Sequence, residues 1–208
     1  MSNKGILQSE MFYVDHLHPN EAGDIADIED FWIEAAEGQG LSEYLKEYAS
    51  QEEIDRGMRT YLVRDNETDE CVGYFSLKAG LISLNEAEVE IEDDSTGEVS
   101  VEREFDTLPG VELANFAVNS SYISRYPYQK GVGYVIFKKF ILPLVDMAAG
   151  YVGIQLLYIF ALPYEKLMKR YERYGFRCLP DTEEADLHKR LKPRHSHLDF
   201  CTYEFGNF

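Results

Sequence analysis

Six consecutive residues, Gln129-Lys130-Gly131-Val132-Gly133-Tyr134, set two glycines and a lysine at the entrance to a long apolar segment. A glycine-containing turn that opens a helix leaves backbone N–H groups without carbonyl partners, at the positive end of the helix dipole. Such a turn attracts anions, and a pyrophosphate suits it because glycine lets phosphate oxygens reach the backbone. Lys130 would add charge. The same pattern also describes a plain helix cap, so the loop by itself supports an anion site and nothing narrower.

The other residues with chemical potential are scattered. His16-Leu17-His18 and His195-Ser196-His197 lack cysteine or carboxylate partners at ligand spacing, so they read as solvated histidines and no metal site is expected. Cys71, Cys178 and Cys201 are odd in number and form no CxxC pair, the pattern of reduced thiols in a cytoplasmic protein. The run His188-Lys189-Arg190-Leu191-Lys192-Pro193-Arg194-His195 is a concentrated basic cluster. It could meet a phosphate, although such runs are commonly loops.

Positioning that loop takes strands and helices on either side of it. Met11–Leu17 alternates as a first strand. Asn20–Ser50 has helical spacing and is expected to break into two helices at Gly38 and Gly40. Thr60–Val63 and Cys71–Leu77 read as strands joined by the polar turn Arg64-Asp65-Asn66-Glu67. Val111–Val118 is a strand. Val132–Ala149 is a helix whose apolar face holds Val132, Val135, Ile136, Phe140, Leu144, Val145 and Ala148, with a kink expected at Pro143. Leu156–Leu162 is a buried strand, Tyr164–Tyr174 a helix closed by Gly175, and Phe176–Leu179 and Cys201–Phe205 the last strands. This order predicts a mixed α/β sheet with helices on both faces.

At 208 residues one domain is expected, and an apolar content of 45% supplies a core and excludes a disordered composition. The most apolar stretch, Val132–Val145, is interrupted by Lys138 and Lys139 and is too short to cross a bilayer. The N-terminus carries no secretion-signal pattern. The net charge is −18, and half of it lies in Glu86–Asp106, where ten acids face one arginine. That segment, an acidic insertion at about 85–107, suits an exposed hairpin or mobile loop, with a lid or acceptor-binding rim as the sharper alternative. So acidic a chain repels phosphate backbones, which argues against a nucleic-acid partner and favours a cationic acceptor.

The block VELANFAVNSSYISRYPYQKGVGYVIFKKFILPL, followed by LLYIFALP and KLMKRYERYGF, resembles the core of the GNAT N-acetyltransferases in order and spacing. The resemblance covers roughly Thr60–Phe205. That family's Gln/Arg-x-x-Gly-x-Gly/Ala motif is met by Gly131 and Gly133, with Tyr128 replacing the usual Gln or Arg. Its Tyr-x-x-x-Gly-Phe landmark is met by Tyr171, Gly175 and Phe176. The resemblance implies a mostly antiparallel sheet splayed at an acetyl-CoA site, within one domain carrying an extended loop at about 180–199. It implies that backbone groups of Phe116 and Val118 pair with pantetheine. The amides of Lys130, Gly131, Val132, Gly133 and Tyr134 would meet the pyrophosphate.

By the same resemblance Tyr171 protonates the departing thiolate, which a phenol of pKa about 10 can do without titrating at neutral pH. Tyr174 is then structural. Glu112, six residues before Val118, stands where lysine-directed members carry their base, and apolar neighbours would raise its pKa; the plain alternative is an exposed strand-end carboxylate. Tyr164 replaces the asparagine common seven residues before the tyrosine.

The activity so implied is transfer of acetyl from acetyl-CoA to a primary amine, on a small molecule or a protein lysine, without a metal. The stretch from Val72 to Gly80 also resembles toxins that acetylate aminoacyl-tRNA, an acceptor ranked second on charge and because Glu112 stands where that subgroup is expected to carry an apolar residue. A non-catalytic acyl-CoA-binding protein of the same fold is a third reading. The oligomeric state is open, a homodimer among the alternatives.

Overall fold

The structure, a computed structural model, describes residues 5–92, 99–179 and 199–204. Its strands are β1 (Leu7–Gln8), β2 (Phe12–His16), β3 (Arg59–Asp65), β4 (Cys71–Glu92), β5 (Val99–Val118), β6 (Leu156–Ala161), β7 (Arg177–Cys178) and β8 (Asp199–Glu204). Its α-helices are α1 (Ala22–Asp30), α2 (Gln39–Glu47), α3 (Ala49–Ile54), α4 (Ser120–Arg125), α5 (Val132–Ile136), α6 (Leu142–Ala149) and α7 (Glu165–Tyr174). The backbone falls into two compact units, Met1–Ala79 with Glu112–Val152, and Gly80–Val111 with Gly153–Phe208. The long strands β4 and β5 each run through both.

In the first unit the strand order is β1-β2-β3-β4-β5. The pairs from β1 to β4 are antiparallel, with Val14 opposite Val63 and Leu62 opposite Tyr74. One core packs Leu62, Tyr74 and Ala117 against Ile28, Phe31, Tyr44 and Leu45 of the α1–α2 region. Strand alternation turns Gly73 to the opposite face, where a Cβ would come within 3.1 Å of Ile136 Cδ1 in α5. Helices therefore cover both faces. In the second unit β6 and β7 both pair antiparallel with β8, and Ile82, Leu156 and Tyr158 form a small core.

Three sequence expectations need correction. The N-terminal helical region breaks at Phe31–Ala35, not at the glycines, and yields three α-helices. Phe31 is fully buried, so the chain extends there to insert it, and Ser120 holds the extended segment by donating its N–H to Trp32 C=O and accepting from Glu34 N–H. Gly38 serves a close approach instead, since a Cβ would lie 2.5 Å from Ile33 Cγ2. Gly40 lies inside α2.

The second correction concerns Val132–Ala149. Pro143 lacks the N–H that would bond one turn back, and its ring would crowd that carbonyl. The backbone meets this with a π-helical turn at Phe137–Ile141, between α5 and α6, in which Leu142 N–H donates to Phe137 C=O. Val132, Ile136, Phe140 and Val145 are buried as expected, and the wider turn adds Phe137 and Ile141 to them, whereas Val135, Leu144 and Ala148 are only half-buried.

The third is α4, unforeseen between β5 and the glycine loop. Asn119 caps it by accepting from Ser121 N–H. The acidic segment is largely strand, because β4 and β5 extend into it as far as Glu92 and from Val99; residues 93–98 lie outside the described residues. So do the basic run at 188–195, the histidines at 195 and 197, and nearly all of the loop expected at 180–199.

Candidate functional site

The end of β5 is fastened to β4. Asn119 N–H donates to Val72 C=O, and the Asn119 side chain donates to Cys71 C=O at 3.0 Å. Gly73 permits this approach, since a Cβ there would sit 2.6 Å from Ala117 O. Backbone groups of alternate residues point to opposite edges of a strand. With Asn119 turned to β4, the N–H and C=O of Phe116 and Val118 face the other edge. Glu112, Ala114, Phe116 and Val118 share one face and are half-buried, while Val111, Leu113 and Ala117 are buried on the other.

Beyond α4 the chain turns into the glycine loop. Gln129 N–H donates to Tyr126 C=O, and Gly131 enters the left-handed region at φ 72°, ψ 18°. Only glycine adopts that conformation freely, and it redirects the chain into α5. The helix's own bonding starts with Val135 N–H donating to Gly131 C=O. The amides of Val132, Gly133 and Tyr134 come before it and have no carbonyl one turn back within the helix. Nothing lies within 4 Å of the position a Gly131 Cβ would take, so the loop has open space beside its backbone. Lys130 is exposed, and Lys138 Nζ stands 6.0 Å from the Tyr134 ring centroid.

From Leu113 to Val145 the chain contains no aspartate or glutamate and four bases, Arg125, Lys130, Lys138 and Lys139. In a chain of net charge −18 this is a cationic stretch of sequence, although Glu70, from outside it, pairs with Arg125 at 3.0 Å. The total charge, even with Glu86–Asp106 set apart, conceals this stretch.

Tyr128, the residue that departs from the family motif, is 73% exposed and points away from the core. Tyr171 lies in the other unit. It is buried on α7, its ring edge-on to Phe176 at 5.6 Å and to Tyr174 at 6.1 Å. Its carbonyl accepts from the amides of Gly175 and Phe176, and Gly175 closes α7 at φ 107°. That explains the Tyr-x-x-x-Gly-Phe spacing: the left-handed glycine turns Phe176 back onto the tyrosine. Tyr174 is equally buried.

Among the described residues no group of three or more His, Cys, Asp or Glu side chains could hold a metal ion. His16 differs from its expectation as a solvated residue: its Nε2 lies 2.9 Å from Glu53 Oε2, and Glu53 is buried. His18 remains mostly exposed. No helix among the described residues is long and apolar enough to cross a membrane.

Scanned against protein-family models and against curated proteins, the sequence matches none. Solved structures do match. A Tyr-to-Phe variant of the AtaT toxin is 17% identical, with 98% of this chain and 94% of that chain covered at a TM-score of 0.62. A Tyr-to-Phe variant of KacT is 19% identical, covering 92% and 94% at 0.61. AtaT recurs as AtaTR bound with acetyl-CoA (17%, 92% and 93%, 0.56) and complexed with acetyl-methionyl-tRNAfMet (18%, 91% and 93%, 0.56). The antiparallel sheet, the two-sided helical cover and this likeness over nearly the whole length agree on one architecture: the chain has the mixed α/β GNAT fold.

Proposed function

We propose that this protein is an acetyl-CoA-dependent N-acetyltransferase whose acceptor is the α-amino group of an aminoacyl-tRNA. The observation that carries the reading is the left-handed Gly131 entrance to α5 within a stretch of four bases and no acid. Such an entrance suits a pyrophosphate, with the amides of Lys130, Gly131, Val132, Gly133 and Tyr134 as its donors. Pantetheine would run along the edge of β5 turned from β4, pairing with Phe116 and Val118. The likeness to AtaT, solved with acetyl-CoA and with acetyl-methionyl-tRNAfMet, supports both donor and acceptor.

In the reaction a neutral amine attacks the thioester carbonyl, a C–N bond forms and the C–S bond breaks. The amine's proton must leave and the thiolate must gain one. Glu112, half-buried on the Phe116 face of β5, is the candidate base. Tyr171 is the candidate acid, its ring fixed by Phe176 and Tyr174.

The global charge that ranked a small amine or protein lysine above tRNA loses much of its weight. At physiological ionic strength the screening length is about 8 Å, so a phosphate senses nearby charge, not the chain's total. The net −18 still favours a cationic small acceptor as the second reading. Release of free CoA decides between them, assayed with charged tRNA, polyamines, aminosugars and lysine peptides. We expect turnover with charged tRNA, and Tyr171→Phe should slow it by roughly a hundredfold or more with little change in acetyl-CoA affinity. Turnover with polyamines or peptides alone would establish the second reading. An unchanged rate in Tyr171→Phe would remove it as the acid.

A further inference from the structure

The glycine loop is tied to a distant turn by a buried hydrogen-bond relay. Asp65, at the end of β3, is itself buried. Its Oδ1 accepts from the Glu67 and Thr68 amides at 2.8 and 3.1 Å, and its Oδ2 accepts from the Tyr122 hydroxyl at 2.5 Å. The same Tyr122 oxygen lies 2.8 Å from Gln129 Oε1, two residues before Gly131. Tyr122 is fully buried in α4, edge-on to Phe12 at 6.3 Å and 4.7 Å from the Tyr126 ring.

A phenol carries one hydrogen, and a carboxylate is its strongest acceptor. With that hydrogen held by Asp65, two facing oxygens would repel, so the Gln129 amide is best assigned turned end for end, its N–H2 donating to the phenol oxygen. The charge on Asp65 thereby fixes the orientation of Gln129. Burial raises the Asp65 carboxyl, but the bonds from Tyr122 and the two turn amides outweigh it and hold the group below its ordinary range. The relay is therefore charged at neutral pH.

We propose that Tyr122 is a positioning residue for the acetyl-CoA loop, relaying Asp65 to Gln129 so that the left-handed entrance at Gly131 is held ready for the pyrophosphate. The inference rests on the donor reading above. A loop already ordered loses less conformational freedom when ligand arrives, so the relay should act on affinity.

The test is calorimetric binding of acetyl-CoA, and of S-acetylpantetheine, which lacks the pyrophosphate, to wild type, Tyr122→Phe, Gln129→Ala and the double variant. Losing one buried hydrogen bond of this kind should weaken acetyl-CoA about fivefold to tenfold in each single variant. The double variant should be no weaker than the singles, because both cut one relay. Affinity for S-acetylpantetheine should stay unchanged. A merely structural role would weaken both ligands alike, and that result would overturn the proposal, as would unchanged acetyl-CoA affinity or fully additive losses. If near-UV circular dichroism shows Tyr122→Phe unfolded, Asp65→Asn replaces it in the same cycle with the same expected outcome. Wild type that fails to bind acetyl-CoA overturns the donor reading and this inference with it; wild type that binds, with an unaffected Tyr122→Phe, overturns this inference alone.

Discussion

Gly131 shows how far a residue's type can speak for its role. The two glycines of the loop look equivalent in the sequence, yet only Gly131 has a positive φ. Gly133 has the ordinary helical backbone of α5. The sequence marked the loop but could not divide the labour, because φ is set by the turn that α4 and the Tyr126 carbonyl impose. An alanine at Gly131 meets no neighbour within 4 Å, so its cost is conformational alone. Placing a Cβ in the left-handed region costs about 1–2 kcal/mol. Gly131→Ala should therefore lower the melting temperature by about 2–8 °C, with Gly131→Asn milder because asparagine tolerates that region. Differential scanning calorimetry checks both, and an Ala variant as stable as wild type would mean the entrance relaxes in solution. The roles proposed for Tyr171 and Glu112 rest on family resemblance; their spacing alone gives a helix residue and a strand residue.

Elements were legible where one periodicity ran without interruption, as in β6 and α7, which end within a residue or two of their expected limits. They were misread where tertiary packing or a single residue overrode the period. Phe31 breaks the N-terminal helices because its burial outweighs continued helical bonding, and the π-turn ahead of Pro143 adds Phe137 and Ile141 to the buried stripe. Helix α3 was missed altogether, although it carries the buried Glu53. That carboxylate accepts from Arg59 Nη1 at 2.7 Å and from the Thr60 amide, and lies 2.9 Å from His16 Nε2, pinning α3 to β2 and β3. Burial alone would raise its pKa, but bonds from His16, the Thr60 amide and Arg59 prevail and lower it below the ordinary 4.5. A depressed carboxylate contributes stability that is present above the unfolded pKa and lost as pH falls through the folded value. The urea midpoint should thus decline below about pH 4.5. Glu53→Gln should cost roughly 1–2 kcal/mol at neutral pH, by leaving Arg59 and His16 a neutral partner in place of a carboxylate, and should flatten that acid limb. Parallel acid limbs in the two proteins would show that Glu53 does not supply the dependence.

At the scale of the whole molecule, charge was the property most easily read and most easily overread. A sum of −18 is correct, yet it conceals a stretch of thirty-three residues, Leu113–Val145, with four bases and no acid. Two salt effects of opposite sign follow. Self-repulsion among the excess acids destabilises the folded state, and added salt screens it. The melting temperature of the ligand-free protein should therefore rise between 50 and about 500 mM salt. Binding of charged tRNA should respond in the other direction, because each phosphate neutralised by a cation releases counterions. With Arg125 paired to Glu70, contacts from Lys130, Lys138 and Lys139 should make log affinity fall with log salt at a slope of about −2 to −3. Fluorescence anisotropy with labelled charged tRNA measures it. A slope much steeper than this would require further cations, for which His188–His195 is the evident source. A slope near zero would mean that no phosphate is held, and would return the acceptor to a small amine or a lysine drawn by the acidic surface.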